Sequence, residues 1–306
     1  MTHDGSMIRP FEARDAASFL REPTESDDKY SRGVVGLRTG SSTYPGAAVL
    51  GVEAAARAGA GMVRYVGPES VTSAVHARRP EVVAGVGRVQ TWVIGSGTDA
   101  SKRDAAETAA LRELLTGSVP VVVDAGALDL VGPRTDAPRA PIVVTPHGRE
   151  LAVMIERLGL SADGAEPDAG AHAARLVARA TGAVVLSKGA VTRVATPDGV
   201  VREVRAGTPW LATAGTGDVL AGVIGTLIAA GQAAAEASTL DAHSPLDLDA
   251  LADLAAAGAV VHGLAARIAA GRFADGVETA MPGHPIVALD VAHAIPAAWQ
   301  ALRAAA

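Results

Sequence analysis

The stretch VPVVVDAGAL, residues 119–128, reads as a strand buried on both faces and stopped at Asp124. An unbroken apolar β-branched run, without polar alternation, is what a parallel strand covered on both sides requires. The form returns in APIVVTPHGREL, residues 140–151, a strand ending at Thr145 with a helix starting near Gly148. Outward from this pair, strand-like and helix-like stretches alternate. Toward the N-terminus, GVVGLRTG (33–40), MVRYVG (62–67) and TWVIGSG (91–97) read as strands. Between them PGAAVLGVEAAARAGAG (45–61) is a helix opened by a proline and closed by glycines. SKRDAAETAALRELL (101–115) is an amphipathic helix with Ser101 as its expected N-cap.

Toward the C-terminus, a helix over 169–182 and a strand over 183–189 precede two β-prone pieces around a Pro-Asp-Gly turn. Helices are then expected over 216–232, 249–271 and 288–304, interrupted by polar insertions at 237–248 and 273–285. Residues 1–30 are expected to form an irregular lead-in, and 31–306 a single domain. Such alternation predicts an α/β fold, a mainly parallel sheet with helices on both faces. In that architecture ligands sit at the carboxyl ends of the strands. Five of those ends, TGSSTYPGAA, GSGTD, DAGAL, TPHGRE and KGAVT, are polar or glycine-rich, as a crevice would need; short connecting loops would look similar.

Composition narrows the function. With 27 basic against 33 acidic residues the net charge is −6, which argues against non-specific nucleic-acid binding. The chain has no cysteine, so disulfides, thiolate metal sites and a cysteine nucleophile are excluded, and a reducing cytoplasm is the simplest expected location. The N-terminal MTHDGSMIRPFEARD lacks the apolar core of a secretion signal. The longest apolar run, from Val219, falls short of the ~20 residues of a bilayer span, so no membrane partner is expected.

The chemistry concentrates in TAGTGDVLAG, residues 213–222. If a helix starts near Thr216, its free N–H groups form an anion site and Asp218 stands in its first turn. A carboxylate there can accept a proton from a substrate hydroxyl while the amides neutralise a transferring phosphoryl group. A helix-capping acid would look the same. In TPHGRE, His147 and Glu150 share a helix face, too few ligands for zinc but suited to holding water around magnesium; His147 alone reads as a capping or surface histidine. Lys188 ends a strand before Gly189, outside any Walker A loop, and GxGxxG is absent. Asp124 at the end of a buried strand needs solvent, a cation or a cap. His262, on an apolar helix, reads as a packed, hydrogen-bonded core residue. Ser41 and Ser42 read as loop residues, since no GxSxG elbow is present.

Taken in order, TGSSTYPGAAVLGVEAAARAGAGMV, VIGSGTD, PVVVDAGALDL, TPHGREL, LSKGAVTRVATPDG, TPWLATAGTGDVLAGVIGTLIAAG and VHGLAA resemble the ADP-dependent NAD(P)H-hydrate dehydratases. These belong to the ribokinase-like superfamily, so the resemblance implies a three-layer α/β/α sandwich. It runs from about residue 30 onward, and the thirty-odd leading residues are too few for the epimerase domain that precedes many relatives, so a stand-alone dehydratase is expected. The implied activity is dehydration of the S epimer of hydrated NADH or NADPH (NADHX, NADPHX), with ADP as phosphoryl donor and Mg2+ present. Asp218 would be the base. Ala214, Gly215, Thr216 and Gly217 would form the anion hole. Lys188, Gly189, Ala190, Val191 and Thr192, with Gly217, would line the adenine nucleotide. Ala48, Gly97 and His147 would contact the hydrated dinucleotide beside Asp218, and Glu150 would organise magnesium-bound water. Functional pairing with a separate NAD(P)HX epimerase and a homo-oligomer are further expectations.

The chain departs from the family pattern at Gly148-Arg149, Thr208, Ala214 and Thr39, the last two standing where glycine is usual. Ala214 is expected to tighten or reshape the anion hole, and Arg149 to add charge near the phosphates. Two alternatives share the Gly-Thr-Gly-Asp motif: an ATP-dependent kinase of a sugar or vitamin-precursor alcohol, and a nucleotide-binding protein without turnover.

Overall fold

The computed structural model describes residues 7–137, 139–161, 168–238, 246–274, 276–280 and 282–305. Ten strands form one sheet. They are β1 (Ile8–Pro10), β2 (Val34–Arg38), β3 (Met62–Tyr65), β4 (Val83–Ala84), β5 (Thr91–Ile94), β6 (Val121–Val123), β7 (Ile142–Val144), β8 (Val184–Ser187), β9 (Thr192–Ala195) and β10 (Val201–Val204). The spatial order is β1-β10-β9-β8-β7-β6-β5-β2-β3-β4. From β8 to β4 every neighbouring pair is parallel, while β9 is antiparallel to both β8 and β10.

Side chains on alternate strand positions enter two separate cores, which is why the strands read as unbroken apolar runs. Val35, Leu37, Val93, Val122 and Val143 pack on one face, and Val34, Trp92, Ile94, Val121 and Val123 on the other. The first face is covered by α2 (Pro45–Arg57), α3 (Glu69–Arg78), α7 (Thr216–Ser238), α8 (Leu248–Ala269) and α9 (Ala288–Ala304). The second is covered by α4 (Ala105–Thr116), α5 (Gly148–Arg157) and α6 (Ala169–Thr181). The expected three-layer α/β/α sandwich is therefore present.

Helices α7 and α8 are long and apolar enough to cross a membrane, but each lies mostly buried inside the protein. They are core helices. The apolar run from Val219 understated α7, which continues through the polar Gln232 to Ser238.

Three expectations need correction. The lead-in is not irregular: Ile8–Pro10 pairs in parallel with β10, and a short helix, α1 (Ala13–Ala17), follows it. Phe11, Ala16, Ala17 and Leu20 are buried against the first core, which polar composition around them concealed. Ser101 does not cap α4; its hydroxyl bonds Asp99, and Asp104 caps the helix by accepting the Glu107 amide at 2.7 Å. The 273–285 insertion carries a small antiparallel hairpin, β11 (Phe273–Ala274) with β12 (Val277–Glu278). Most of the 237–248 insertion lies outside the described residues.

Candidate active site

The strand order places a crevice. The chain leaves β2 toward β3 and β4 on one side, then returns to lay β5 on the other. At such a reversal the connections diverge above the carboxyl ends of the two strands and leave a gap. A cleft of about 750 Å³ lies there, lined by Thr43–Ala47 after β2, Gly97–Ala100 after β5, and Ala214, Gly215 and Asp218 of the α7 entry.

Helix α7 starts where the sequence suggested. The Thr216 hydroxyl donates to the carbonyls of Leu211 and Thr213 at 2.9 and 3.0 Å, tying the first turn to the preceding loop. Gly215 has φ +90°, and a Cβ there would stand 2.5 Å from Leu50 Cδ1, so glycine alone fits. Ala214 needs no left-handed backbone: among the described residues the one non-glycine with positive φ is Ala125. Its methyl is thus accommodated without strain, on the exposed rim of the cleft. The first-turn amides, including those of Gly217 and Asp218, have no intrahelical acceptor. A Cβ at Gly217 would lie 3.6 Å from Lys188 Nζ, so the glycine leaves the space between helix terminus and ammonium open.

The Asp218 carboxylate has no hydrogen-bond partner among the described residues. Burial raises its pKa, the Asp124 charge adds to the rise, and the Lys188 charge opposes it; the result is about 6. A carboxylate so placed is ionised at neutral pH yet basic enough to take a proton.

Beneath it runs a buried network that the sequence showed only as a question. Asp124 accepts from Ser96 Oγ at 2.9 Å, Thr145 Oγ1 at 2.8 Å and Lys188 Nζ at 2.8 Å. The acid that needed a cation has met one. Lys188 also stands 3.8 Å from Glu150. Glu150 and His147 form a reciprocal cap on α5: His147 Nδ1 accepts the Glu150 amide at 3.2 Å, and Glu150 accepts the His147 amide at 2.7 Å. A parallel bridge between His147 and Lys188 sets the two turns side by side. The turn Gly189–Val191 beyond Lys188 is partly or fully exposed and open to a ligand.

Most expected residues therefore converge. Asp218, Gly97, Gly215 and Ala214 line the cleft, Gly217 and Lys188 adjoin Asp218, and Glu150 stands 3.8 Å from Lys188. Two of the expected dinucleotide contacts stand elsewhere. Ala48 is fully buried with its methyl facing Gly40, because the first turn of α2 aims Ala47 and Leu50 into the cleft instead. His147 sits at the α5 cap beside Lys188 rather than along the cleft wall. Tyr44, Thr98 and Asp99 line the cleft and were not singled out; all three follow strand ends, the one signal that would have found them.

His262 is packed as expected, 7% exposed on α8. Burial pushes its ring down to about 4, against an opposing hydrogen bond with the Thr216 backbone and with a small further push from Lys188; Nε2 has no partner among the described residues.

The family model described as NAD(P)H-hydrate dehydratase matches residues 35–281. The chain is 46% identical over 241 residues to the bifunctional NAD(P)H-hydrate repair enzyme Nnr of Mycobacterium leprae, covering 76% of this chain and 48% of that one. It is 37% identical over 228 residues to the ADP-dependent (S)-NAD(P)H-hydrate dehydratase of Xanthomonas campestris, covering 68% and 76%. The chain thus spans about half the length of the bifunctional relatives it matches. Among solved structures, an ADP/ATP-dependent NAD(P)H-hydrate dehydratase from Bacillus subtilis, co-crystallized with ATP/Mg2+, superposes with a TM-score of 0.74 at 23% identity over 96% of this chain and 98% of that one, a likeness of fold. On the family match and these identities, the chain belongs to the NAD(P)H-hydrate dehydratase family.

Proposed function

We propose that this protein dehydrates the S epimer of NADHX and NADPHX, using ADP and releasing NAD(P)H, AMP and phosphate. The observation that carries this reading is Asp218: a carboxylate poised near 6 that faces a dinucleotide-sized cleft and stands beside unpaired helix amides and a lysine. Asp218 takes the proton of the 6-hydroxyl as that oxygen bonds to the β-phosphorus of ADP and the bond to AMP breaks. The first-turn amides of α7 and Lys188 hold the transferring group. In the second half, the ring nitrogen's electron pair expels phosphate from the ring carbon, and loss of a neighbouring C–H proton restores the double bond.

The residues fit magnesium held mainly by nucleotide phosphates and water. Among the described residues no group of three or more His, Asp or Glu side chains is arranged as a metal cage. Glu150, which keeps a partly exposed carboxylate near Lys188, is the residue to orient such waters. The ion's contribution is charge neutralisation on the phosphates. ADP rather than ATP as donor, a cytoplasmic location, self-association through the Ala-rich helices and cooperation with an NAD(P)HX epimerase are parts of the same reading.

Incubation with NADHX, Mg2+ and either nucleotide tests it. Recovery of the absorbance of the reduced ring with AMP formed from ADP is the expected result. Phosphorylation of an added sugar or vitamin-precursor alcohol by ATP, with NADHX untouched, would overturn it in favour of a kinase.

A further inference from the structure

Asp124 lies outside the lining of the cleft, 2% exposed, yet the ends of four neighbouring strands meet at its carboxylate. The sheet ladder explains the convergence. Backbone bonds continue past the strands, from the Asp124 amide to the Ile94 carbonyl, from Thr145 to Val123 and from Lys188 to Pro146. They hold the ends of β5, β6, β7 and β8 level. Gly95 completes the fit, since a Cβ there would stand 2.1 Å from the Asp124 carbonyl oxygen. Oδ2 accepts from Ser96, and Oδ1 accepts from Thr145 and from the Lys188 ammonium. Ser96 and Thr145 are 2% and 1% exposed, so neither hydroxyl has bulk water as an alternative partner. The carboxylate is thus fixed on both oxygens where it meets Lys188. A lysine has three N–H donors on a flexible stem. Asp124 takes one and leaves the others for an anion in the space that Gly217 keeps open. Ser96 ties the same carboxylate to the turn whose next residue, Gly97, lines the cleft.

We propose that Asp124 is a positioning residue of the reaction, acting from outside the cleft by holding Lys188 against the phosphoryl group that passes from nucleotide to substrate. This rests on the dehydratase reading. An ammonium fixed in advance needs no reorganisation when charge develops, so its loss falls on kcat more than on KM. The Asp124 charge also acts on the neighbouring base. Asp218 is faced by Asp124 and Lys188, and Lys188 in turn by Glu150 of α5 and His262 of α8. Without the Asp124 charge the lysine acts on Asp218 unopposed, and Asp218 titrates at lower pH.

The test is steady-state turnover of NADHX with ADP and Mg2+ by Asp124→Asn, Lys188→Met and the double variant, at about pH 8 so that Asp218 is ionised in each. Asp124→Asn is expected to lower kcat about 100-fold, with KM for ADP held within about threefold. The double variant should lose no more than about threefold beyond Lys188→Met alone, because the carboxylate then has no ammonium to hold. In the pH profile of kcat/KM, which reports the free enzyme, the acid limb of Asp124→Asn should lie below the wild-type limb near 6. Losses that multiply in the double variant, or an acid limb that stays in place, would overturn the proposal. Should Asp124→Asn fail to fold, Thr145 carries the test. Thr145→Val, which removes the hydroxyl, should lower kcat about fivefold, and Thr145→Ser, which keeps it, less than about twofold. Equal kcat in those two variants would overturn the proposal as well. Wild-type protein that leaves NADHX untouched would instead defeat the dehydratase reading, and this inference with it.

Discussion

Asp218, the base of the proposed reaction, meets two opposed demands, because the burial that raises its pKa also makes its charge unfavourable to folding. Its pKa rises from 3.8 to about 6 on folding. Between those values the folded protein binds more protons than the unfolded chain, so stability falls as pH rises through that window and the penalty is full above 6. Asp218→Asn is therefore expected to abolish turnover, a loss of 10³-fold or more, while raising stability at neutral pH by about 2 kcal/mol. Calorimetry should show a gain of a few degrees, and a variant both less stable and active would end the assignment. In the wild type, kcat should fall tenfold per pH unit below about 6. The neighbouring glycines separate geometry from chemistry. Gly217→Ala adds a methyl at ordinary contact distance from Lys188, so the melting temperature should hold while kcat drops about 10–100-fold as the anion space fills. Gly215→Ala forces a left-handed backbone into Leu50 and should cost about 1–3 kcal/mol, measured by denaturant unfolding. The Gly-Thr-Gly-Asp motif was legible at this scale. The Asp124–Lys188 bond was not, since its partners follow the ends of two strands and lie 64 positions apart.

Among the elements, α2 is held where it lines the cleft by contacts that propensity does not reveal. Gly222 of α7 lets the helices cross closely, for a Cβ there would stand 2.3 Å from the Gly51 carbonyl. Glu53 of α2, wholly buried, binds Arg57, Arg78 and Arg79, so it fastens α2 to the end of α3. Burial acts to raise its pKa, but the guanidiniums of Arg79, Arg57 and Arg78 outweigh it and bring it to about 2. The stability this adds is present above the ordinary value of 4.5 and is lost as pH falls toward 2. Glu53→Gln should thus cost about 3 kcal/mol at pH 7 and flatten the acid limb of the unfolding profile between those values. Urea titrations at stepped pH would check it, and an unchanged acid limb would contradict the role. Helix interiors were readable from periodicity and composition, but ends were less so. Asp99, Ser101 and Asp104 all carry capping oxygens, and only the folded path of the chain selects Asp104.

For the whole molecule, the sheet's outer edge beside the antiparallel strands is β1, and its docking is reinforced from α8. Arg202 of β10, 1% exposed, binds Asp249 and Asp253, and Arg9 of β1 reaches Asp253 at 2.8 Å. Removing residues 1–20 should expose the β10 edge and the surface under Phe11 and Leu20, producing aggregation on warming that light scattering would detect. A truncated chain that stays monodisperse and melts unchanged would show the strap to be dispensable. The layered α/β architecture was determined by the sequence alone, because strands buried on both faces must be uniformly apolar and alternate with helix-forming stretches. The Gly-Thr-Gly-Asp motif that carries Asp218, the proposed base, was likewise local. The order of the strands, the reversal between β2 and β5 that opens the cleft, and the meeting of Asp124, Lys188 and Asp218 beneath it were decided only by tertiary structure. Pairing energies depend on neighbours distant along the chain, and no local pattern encodes which strand lies beside which.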